Sequence, residues 1–73
     1  MAVYYAFLSL EDENERYGDM TIPGVSSKQE ARGKLANYFK SRGMKAELSE
    51  TSEEVYITLQ DGKEIVYYGF DTI

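Results

Sequence analysis

The 73-residue chain contains no histidine, no cysteine and no tryptophan, and it has a single proline. Without histidine or cysteine it lacks the commonest general base and the thiolate nucleophile, and it can form neither disulfides nor thiolate zinc sites. No apolar run approaches the roughly 20 residues that span a bilayer. These absences predict a cytoplasmic protein that is not an enzyme, binds no cofactor and does not enter a membrane.

Length, composition and charge together predict a single, folded, acidic domain. The length allows one domain over residues 1–73, and a chain this short buries only about 60% of the surface that it exposes when unfolded. At 42% apolar residues the composition is that of a folded domain. Thirteen acidic residues against eight basic ones give a net charge of −5.

The first half of the chain predicts a strand, an acidic loop and a helix. Residues 3–10 are apolar on both alternating faces, which is typical of an interior strand. The stretch 21–23 is extended only briefly before the Pro23-Gly24 turn signal. Ser27, with Glu30 three residues later, predicts a capping box, and Gly43 a helix end. The helix is predicted over 27–42, with one apolar stripe formed by Ala31, Leu35, Tyr38 and Phe39.

The second half predicts three strands, over 44–48, 55–60 and 63–70. Asp61-Gly62 indicates a two-residue type I′ hairpin between the last two strands. The fold class is therefore predicted as α+β with the order β-α-β-β-β. It would be a mainly antiparallel four-stranded sheet with one helix packed on one face.

A single helix leaves the other sheet face open, and the hairpin register decides what that face carries. A two-residue loop pairs Tyr56 with Tyr67 and Thr58 with Ile65, and it places all four on the open face. An apolar face bearing tyrosines is typical of a partner-binding surface. This assignment depends on the hairpin register, because a slip of one residue would exchange the two faces of a strand. The alternative role for the tyrosine pair is to stabilise the hairpin by cross-strand packing alone.

Charge is strongly segregated along the chain. Residues 28–45 hold six of the eight basic residues and one acid, whereas the rest of the chain holds twelve acids. The acidic residues outside 28–45 predict docking on a basic partner protein, through the loop residues Glu11, Asp12, Glu13 and Glu15. The basic helix offers an alternative phosphate-binding set, namely Lys28, Arg32, Lys34 and Lys40. The alternative to both binding roles is that these charged side chains are simply solvated and that the basic ones near the end of the helix complement its dipole.

The run 26–34, Ser-Ser-Lys-Gln-Glu-Ala-Arg-Gly-Lys, resembles the start of the last helix of double-stranded RNA-binding domains. That resemblance implies phosphate contact. In that family, however, the helix follows three strands, whereas here it precedes them.

The acidic loop does not predict a metal site. Counting an EF-hand from Asp12 puts Arg16 at position 5 and Pro23 at position 12, where acids are required.

In size, acidity and β-α-β-β-β plan, the chain resembles small phage-encoded inhibitors of the anti-CRISPR and anti-defence type. The resemblance implies a protein-binding inhibitor or adaptor in the host cytoplasm, which occupies a partner's surface, including one that binds nucleic acid. It assigns no role to any particular residue. The alternatives are nucleic-acid binding through the helix, and a structural subunit that forms a homodimer through its open sheet face.

Overall fold

A computed structural model describes residues 2–8 and 18–72 as five strands and one helix. The elements are β1 Ala2–Leu8, β2 Met20–Val25, α1 Lys28–Lys40, β3 Lys45–Leu48, β4 Val55–Thr58 and β5 Glu64–Thr72. All strand pairs are antiparallel, and the sheet order is β2-β1-β5-β4-β3. Because α1 joins the two edge strands, it crosses the whole sheet on one side.

The α+β class is confirmed, but the predicted count of four strands is wrong. The additional strand is β2, where the sequence suggested only a brief extension. Pro23 and Gly24 are both disfavoured in strands, which weakens the local signal. An edge strand tolerates them, because its outer side needs no partner and Gly24 accommodates a bulge with φ +74°.

The helix begins and ends at the signals that the sequence contains. Ser27 is the N-cap, and its hydroxyl accepts a hydrogen bond from the Glu30 backbone N–H at 3.1 Å. Glu30 reaches back to the backbone N–H and the hydroxyl of Ser26. At the other end Gly43 has φ +83°, and the Met44 N–H donates to the Phe39 carbonyl at 3.1 Å. This 6→1 bond is the mark of a Schellman end.

The core lies between α1 and the inner sheet face. The helix contributes Ala31, Leu35, Ala36 and Phe39, all buried. Phe39 packs on Tyr67 with ring centroids 5.8 Å apart. Tyr38, which the spacing placed in the apolar stripe, is 39% exposed instead.

The predicted interior position of the first strand is confirmed, since β1 pairs with β2 on one side and with β5 on the other. Its alternation places Tyr4, Ala6 and Leu8 in the core, and Phe7 on the outer face. A strand that is apolar on both faces therefore leaves apolar side chains on the side that the helix does not cover.

The loop between β4 and β5 has three residues, Gln60 to Gly62, not two. The Leu59 N–H donates to the Lys63 carbonyl at 2.7 Å, and the Gly62 N–H donates to the Leu59 carbonyl at 2.9 Å. A type I′ turn needs positive φ at both central residues. Among the described residues only glycines have positive φ, so Gly62, at +90°, adopts it while Asp61 does not.

The longer loop shifts the predicted register by one residue. Tyr56 pairs with Val66, and Ile57 with Ile65. Because side chains alternate between faces, the shift exchanges the two faces of β5 over residues 64–68. The prediction that Tyr67 and Ile65 lie on the open face is therefore wrong: they are 0% and 1% exposed and belong to the core.

Candidate functional site

The candidate site is the sheet face opposite α1, called here the open face. Sheet register and alternation assign its apolar and hydroxyl side chains. They are Val3, Tyr5, Phe7, Thr21, Pro23, Tyr56, Thr58, Val66 and Tyr68. Of the sequence-predicted set, Tyr56 and Thr58 are on this face, whereas Tyr67 and Ile65 are not.

An aromatic row runs across the middle of the open face on the three central strands. Phe7 on β1 is the direct partner of Tyr68 on β5, with ring centroids 6.1 Å apart. Tyr5 meets the Phe7 ring edge-on at 4.9 Å and 74°. Tyr56 on β4 extends the row, since its partner Val66 is two residues from Tyr68. The exposed fractions are 40% for Phe7, 37% for Tyr56 and 45% for Tyr68.

A β-bulge at Gly69 determines how the row packs. The β1–β5 register shifts between Tyr5 and Phe7, and Gly69 lies opposite this shift with φ +66°. A Cβ at position 69 would stand 3.1 Å from the Phe7 ring. The Phe7 ring therefore lies directly over the glycine backbone, in a place that another residue type would obstruct.

Two tyrosine hydroxyls at the margins of the row are bound to carboxylates. The Tyr5 hydroxyl donates to Asp19 Oδ2 at 2.8 Å, and Asp19 Oδ1 accepts the Leu8 N–H at 2.8 Å. The Tyr56 hydroxyl donates to Glu54 Oε2 at 3.2 Å. These bonds hold the two rings in place and bring negative charge to both ends of the row.

The surroundings of Tyr5 and Tyr56 raise the pKa values of both hydroxyl groups. The hydrogen bond to Asp19 is the main cause that raises the pKa of Tyr5 above its usual value. Partial desolvation, and then the bond to Glu54, raise the pKa of Tyr56. Both hydroxyls therefore stay protonated and act as donors at neutral pH.

A shallow depression of about 350 Å³ lies beside Tyr56, towards the β3 edge. Its lining includes Glu47, which pairs with Tyr56, and Glu64, which pairs with Thr58. Among the described residues, Lys45 is the only cation in this lining. Neither glutamate side chain makes a hydrogen bond or an ion pair within residues 2–8 and 18–72.

Most of the predicted phosphate-binding side chains of α1 already bind other groups of the fold. Lys28 Nζ is 3.1 Å from Glu53 Oε1, and this pairing chiefly raises the pKa of Lys28. Arg32 Nη2 donates to the Ser49 carbonyl at 2.7 Å. The amine of Lys34 donates to the Pro23 carbonyl at 2.9 Å. Of the predicted phosphate-binding set, only Lys40 makes no such contact in the part of the chain that is described.

The acidic loop set, Glu11, Asp12, Glu13 and Glu15, lies outside the described residues. Within the described ranges, no group of three or more acidic side chains is placed to hold a metal ion. No helix there combines the length and the apolar character required to cross a membrane.

Comparisons with protein-family models, with curated proteins and with solved structures found no match to this chain.

Phe7 and Tyr68 were not among the predicted site residues. The signal for Phe7 was present, because the alternation of the first strand already separated Val3, Tyr5 and Phe7 from Tyr4, Ala6 and Leu8. Tyr68 was assigned to the core by the two-residue loop, and only the loop length corrects that assignment.

Proposed function

We propose that this chain is a protein-binding module, an inhibitor or adaptor, which covers a basic surface of a partner protein with its open face. The observation that carries the proposal is the row of exposed aromatic side chains, Phe7, Tyr68 and Tyr56, across the three central strands. Contiguous exposed apolar patches mark interaction sites, and tyrosine is enriched in protein interfaces.

The charge around the row favours a basic partner. Among the described residues, five acids, Asp19, Glu47, Glu54, Glu64 and Asp71, lie on or at the margins of the open face. Two ammonium groups lie near them, that of Lys45 in the depression and that of Lys28, 3.9 Å from Asp71. Complementary charge steers association and excludes like-charged partners. A second copy of this chain would bring carboxylates against carboxylates, so a basic protein is a better occupant than a homodimer partner.

The sheet edges are poorer binding surfaces than the face. One edge strand, β2, contains Pro23. The other, β3, has four residues and carries Lys45 and Glu47. Proline, short length and charged side chains are the features that protect edges against added strands.

Nucleic-acid binding is the second candidate, and the aromatic row by itself is compatible with base stacking. The surrounding carboxylates oppose it, because the phosphates of a bound strand would lie beside them. The helix gives it little support, since Lys28, Arg32 and Lys34 already have partners within the fold. A gel shift at low salt that weakens as salt rises would favour this candidate over the first.

The proposal includes the remaining expectations from the sequence. The module acts in the cytoplasm, as small phage-encoded inhibitors do, and a partner surface that binds nucleic acid would have the required basic character. The loop carrying Glu11, Asp12, Glu13 and Glu15 would add to the negative charge that such a surface meets.

The experiment compares two exposed tyrosines on opposite sides of the molecule. Wild-type protein, Tyr68→Ser and the control Tyr38→Ser are immobilised and exposed to extract of the organism that encodes the chain. A captured protein is then purified, and its affinity for each variant is measured over a range of salt. Tyr38 is a matched control because it is 39% exposed, close to the 45% of Tyr68, but lies on the helix.

We expect Tyr68→Ser to weaken binding by about tenfold or more, as truncation of an interface tyrosine commonly does. We expect Tyr38→Ser to bind as wild type does, and higher salt to weaken the complex. Equal binding of the partner to wild type and to Tyr68→Ser would refute the open face as the site.

A further inference from the structure

We infer that the open face recognises arginine side chains of its partner, and that the principal contact is a guanidinium group stacked on Tyr56. The inference rests on the proposed function and specifies the chemistry of the partner. It is carried by the exposed ring of Tyr56, the depression beside it and the charge of its neighbours.

The ring of Tyr56 is a ready stacking surface. It is 37% exposed, and its hydroxyl is bound to Glu54, which fixes its position before a partner arrives. Within the described residues no cation lies over Tyr56, Phe7 or Tyr68. Tyr38 shows the contrast, since the Arg42 guanidinium carbon lies 4.4 Å from its ring centroid. Among the described residues, one exposed tyrosine ring thus has a cation from the same chain over it, whereas the open-face rings have none.

The depression beside Tyr56 has the size and lining for one long cationic side chain. Its volume of about 350 Å³ is at the lower end of the range for small-ligand sites. Glu47 and Glu64 lie in its lining with no partner of their own in the described ranges. A guanidinium group stacked on Tyr56 would have these carboxylates within reach of its edge, where paired N–H···O bonds form.

An exposed aromatic ring beside two carboxylates suits an arginine side chain better than a lysine side chain. The guanidinium group is planar, stacks on aromatic faces and presents a rigid fork of donors to carboxylates. An ammonium group is a compact, strongly hydrated point charge, and Lys45 already supplies one in the depression. A general attraction for positive charge would not distinguish the two, so the preference for arginine is the property to test.

The test uses two synthetic peptides of equal length and charge, one alternating arginine with glycine and the other alternating lysine with glycine. Their affinities are measured by titration calorimetry with wild-type protein, Tyr56→Leu and the double variant Glu47→Gln/Glu64→Gln. The matched controls are Tyr38→Leu for the ring and Glu50→Gln for the charge. Circular dichroism and urea titration of each variant establish that it is folded.

We expect wild-type protein to bind the arginine peptide about fivefold or more tightly than the lysine peptide, because the stacking contribution is added only for arginine. Tyr56→Leu should lower the arginine affinity to the lysine level. The double variant should weaken both peptides, and the two controls should keep the wild-type preference. Equal affinities for the two peptides, or a preference that survives in Tyr56→Leu, would overturn the inference.

The result of this peptide test can be distinguished from the result of the test of the proposed function. If a partner protein binds wild type, is lost with Tyr68→Ser and shows no dependence on Tyr56 or on arginine, the open face is a binding site and the arginine inference is wrong. If the arginine preference depends on Tyr56 but no partner distinguishes Tyr68→Ser from wild type, the proposed function is wrong.

Discussion

Tyr67 and Tyr68 are neighbours in the chain and point to opposite faces of the sheet, so truncating each one to alanine tests the register directly. Tyr67 is fully buried, and its hydroxyl donates to the Gly18 carbonyl at 2.7 Å. Tyr68 is 45% exposed and packs on Phe7 with a centroid distance of 6.1 Å. The structure therefore predicts that Tyr67→Ala costs far more stability than Tyr68→Ala.

The magnitudes can be worked from these contacts. Removing a buried aromatic side chain costs about 3–5 kcal/mol, and losing the hydrogen bond to Gly18 about 1 kcal/mol more. Tyr68→Ala should cost about 1 kcal/mol or less, since it loses one exposed ring contact. A 73-residue domain has a total stability of about 4–11 kcal/mol. Tyr67→Ala can consequently unfold the protein outright.

Urea denaturation followed by circular dichroism measures both variants. Tyr67→Phe keeps the ring and loses only the hydroxyl, so it should cost about 1 kcal/mol and gives a measurable midpoint even if Tyr67→Ala is unfolded. A two-residue hairpin loop would bury Tyr68 and expose Tyr67. A larger loss for Tyr68→Ala than for Tyr67→Ala would therefore refute the three-residue loop and the open face built on it.

Three further predictions follow from single contacts. Gly69→Ala should destabilise the fold by about 1–2 kcal/mol, because alanine is strained at φ +66° and its methyl group meets the overlying ring; urea titration measures the loss. Arg32→Met should lower stability and speed amide exchange over 49–54, because Arg32 Nη2 donates to carbonyls in that loop. Glu54→Gln should lower the pKa of Tyr56, as read by ultraviolet titration. The stability linked to the raised pKa of Tyr56 is complete below the unfolded value of about 10 and is lost as pH rises through the folded value.

Each of these predictions has a control and a contradicting outcome. Gly33→Ala is the control for Gly69→Ala, since a Cβ at Gly33 meets nothing within 4 Å; equal effects would contradict the bulge geometry. Lys40→Met is the control for Arg32→Met, and unchanged exchange over 49–54 in Arg32→Met would contradict the anchoring role. For Tyr56, an unchanged titration midpoint in Glu54→Gln would show that the hydroxyl bond has no influence.

Much of the architecture could be predicted from local pattern. The helix signals at Ser27, Glu30 and Gly43 are satisfied by backbone groups a few residues away, so the sequence around them suffices. The interior position of β1 followed from its two apolar faces. The edge strand β2 was missed because its formation depends on pairing with β1, and its own residues Pro23 and Gly24 argue against a strand.

Half of the predicted sheet-face residues were placed correctly. Tyr56 and Thr58 were right because β4 alternates regularly between Val55, Ile57 and Leu59 in the core and the remaining residues outside. On β5 the residues Ile65, Val66, Tyr67 and Tyr68 are apolar in succession, so hydropathy indicates no preferred face. The choice of face depended entirely on the loop.

The sequence by itself determined the α+β class, the helix and its ends, the interior first strand and the absence of histidine and cysteine chemistry. These properties come from residue types and from periodicities of a few residues. Only the tertiary structure decided which tyrosines face outward, because one residue more in the Gln60–Gly62 loop moves the β5 side chains from Glu64 to Tyr68 to the opposite face of the sheet. It also decided that most of the predicted phosphate-binding side chains are engaged, since their partners at 23, 49 and 53 approach them only when the chain is folded.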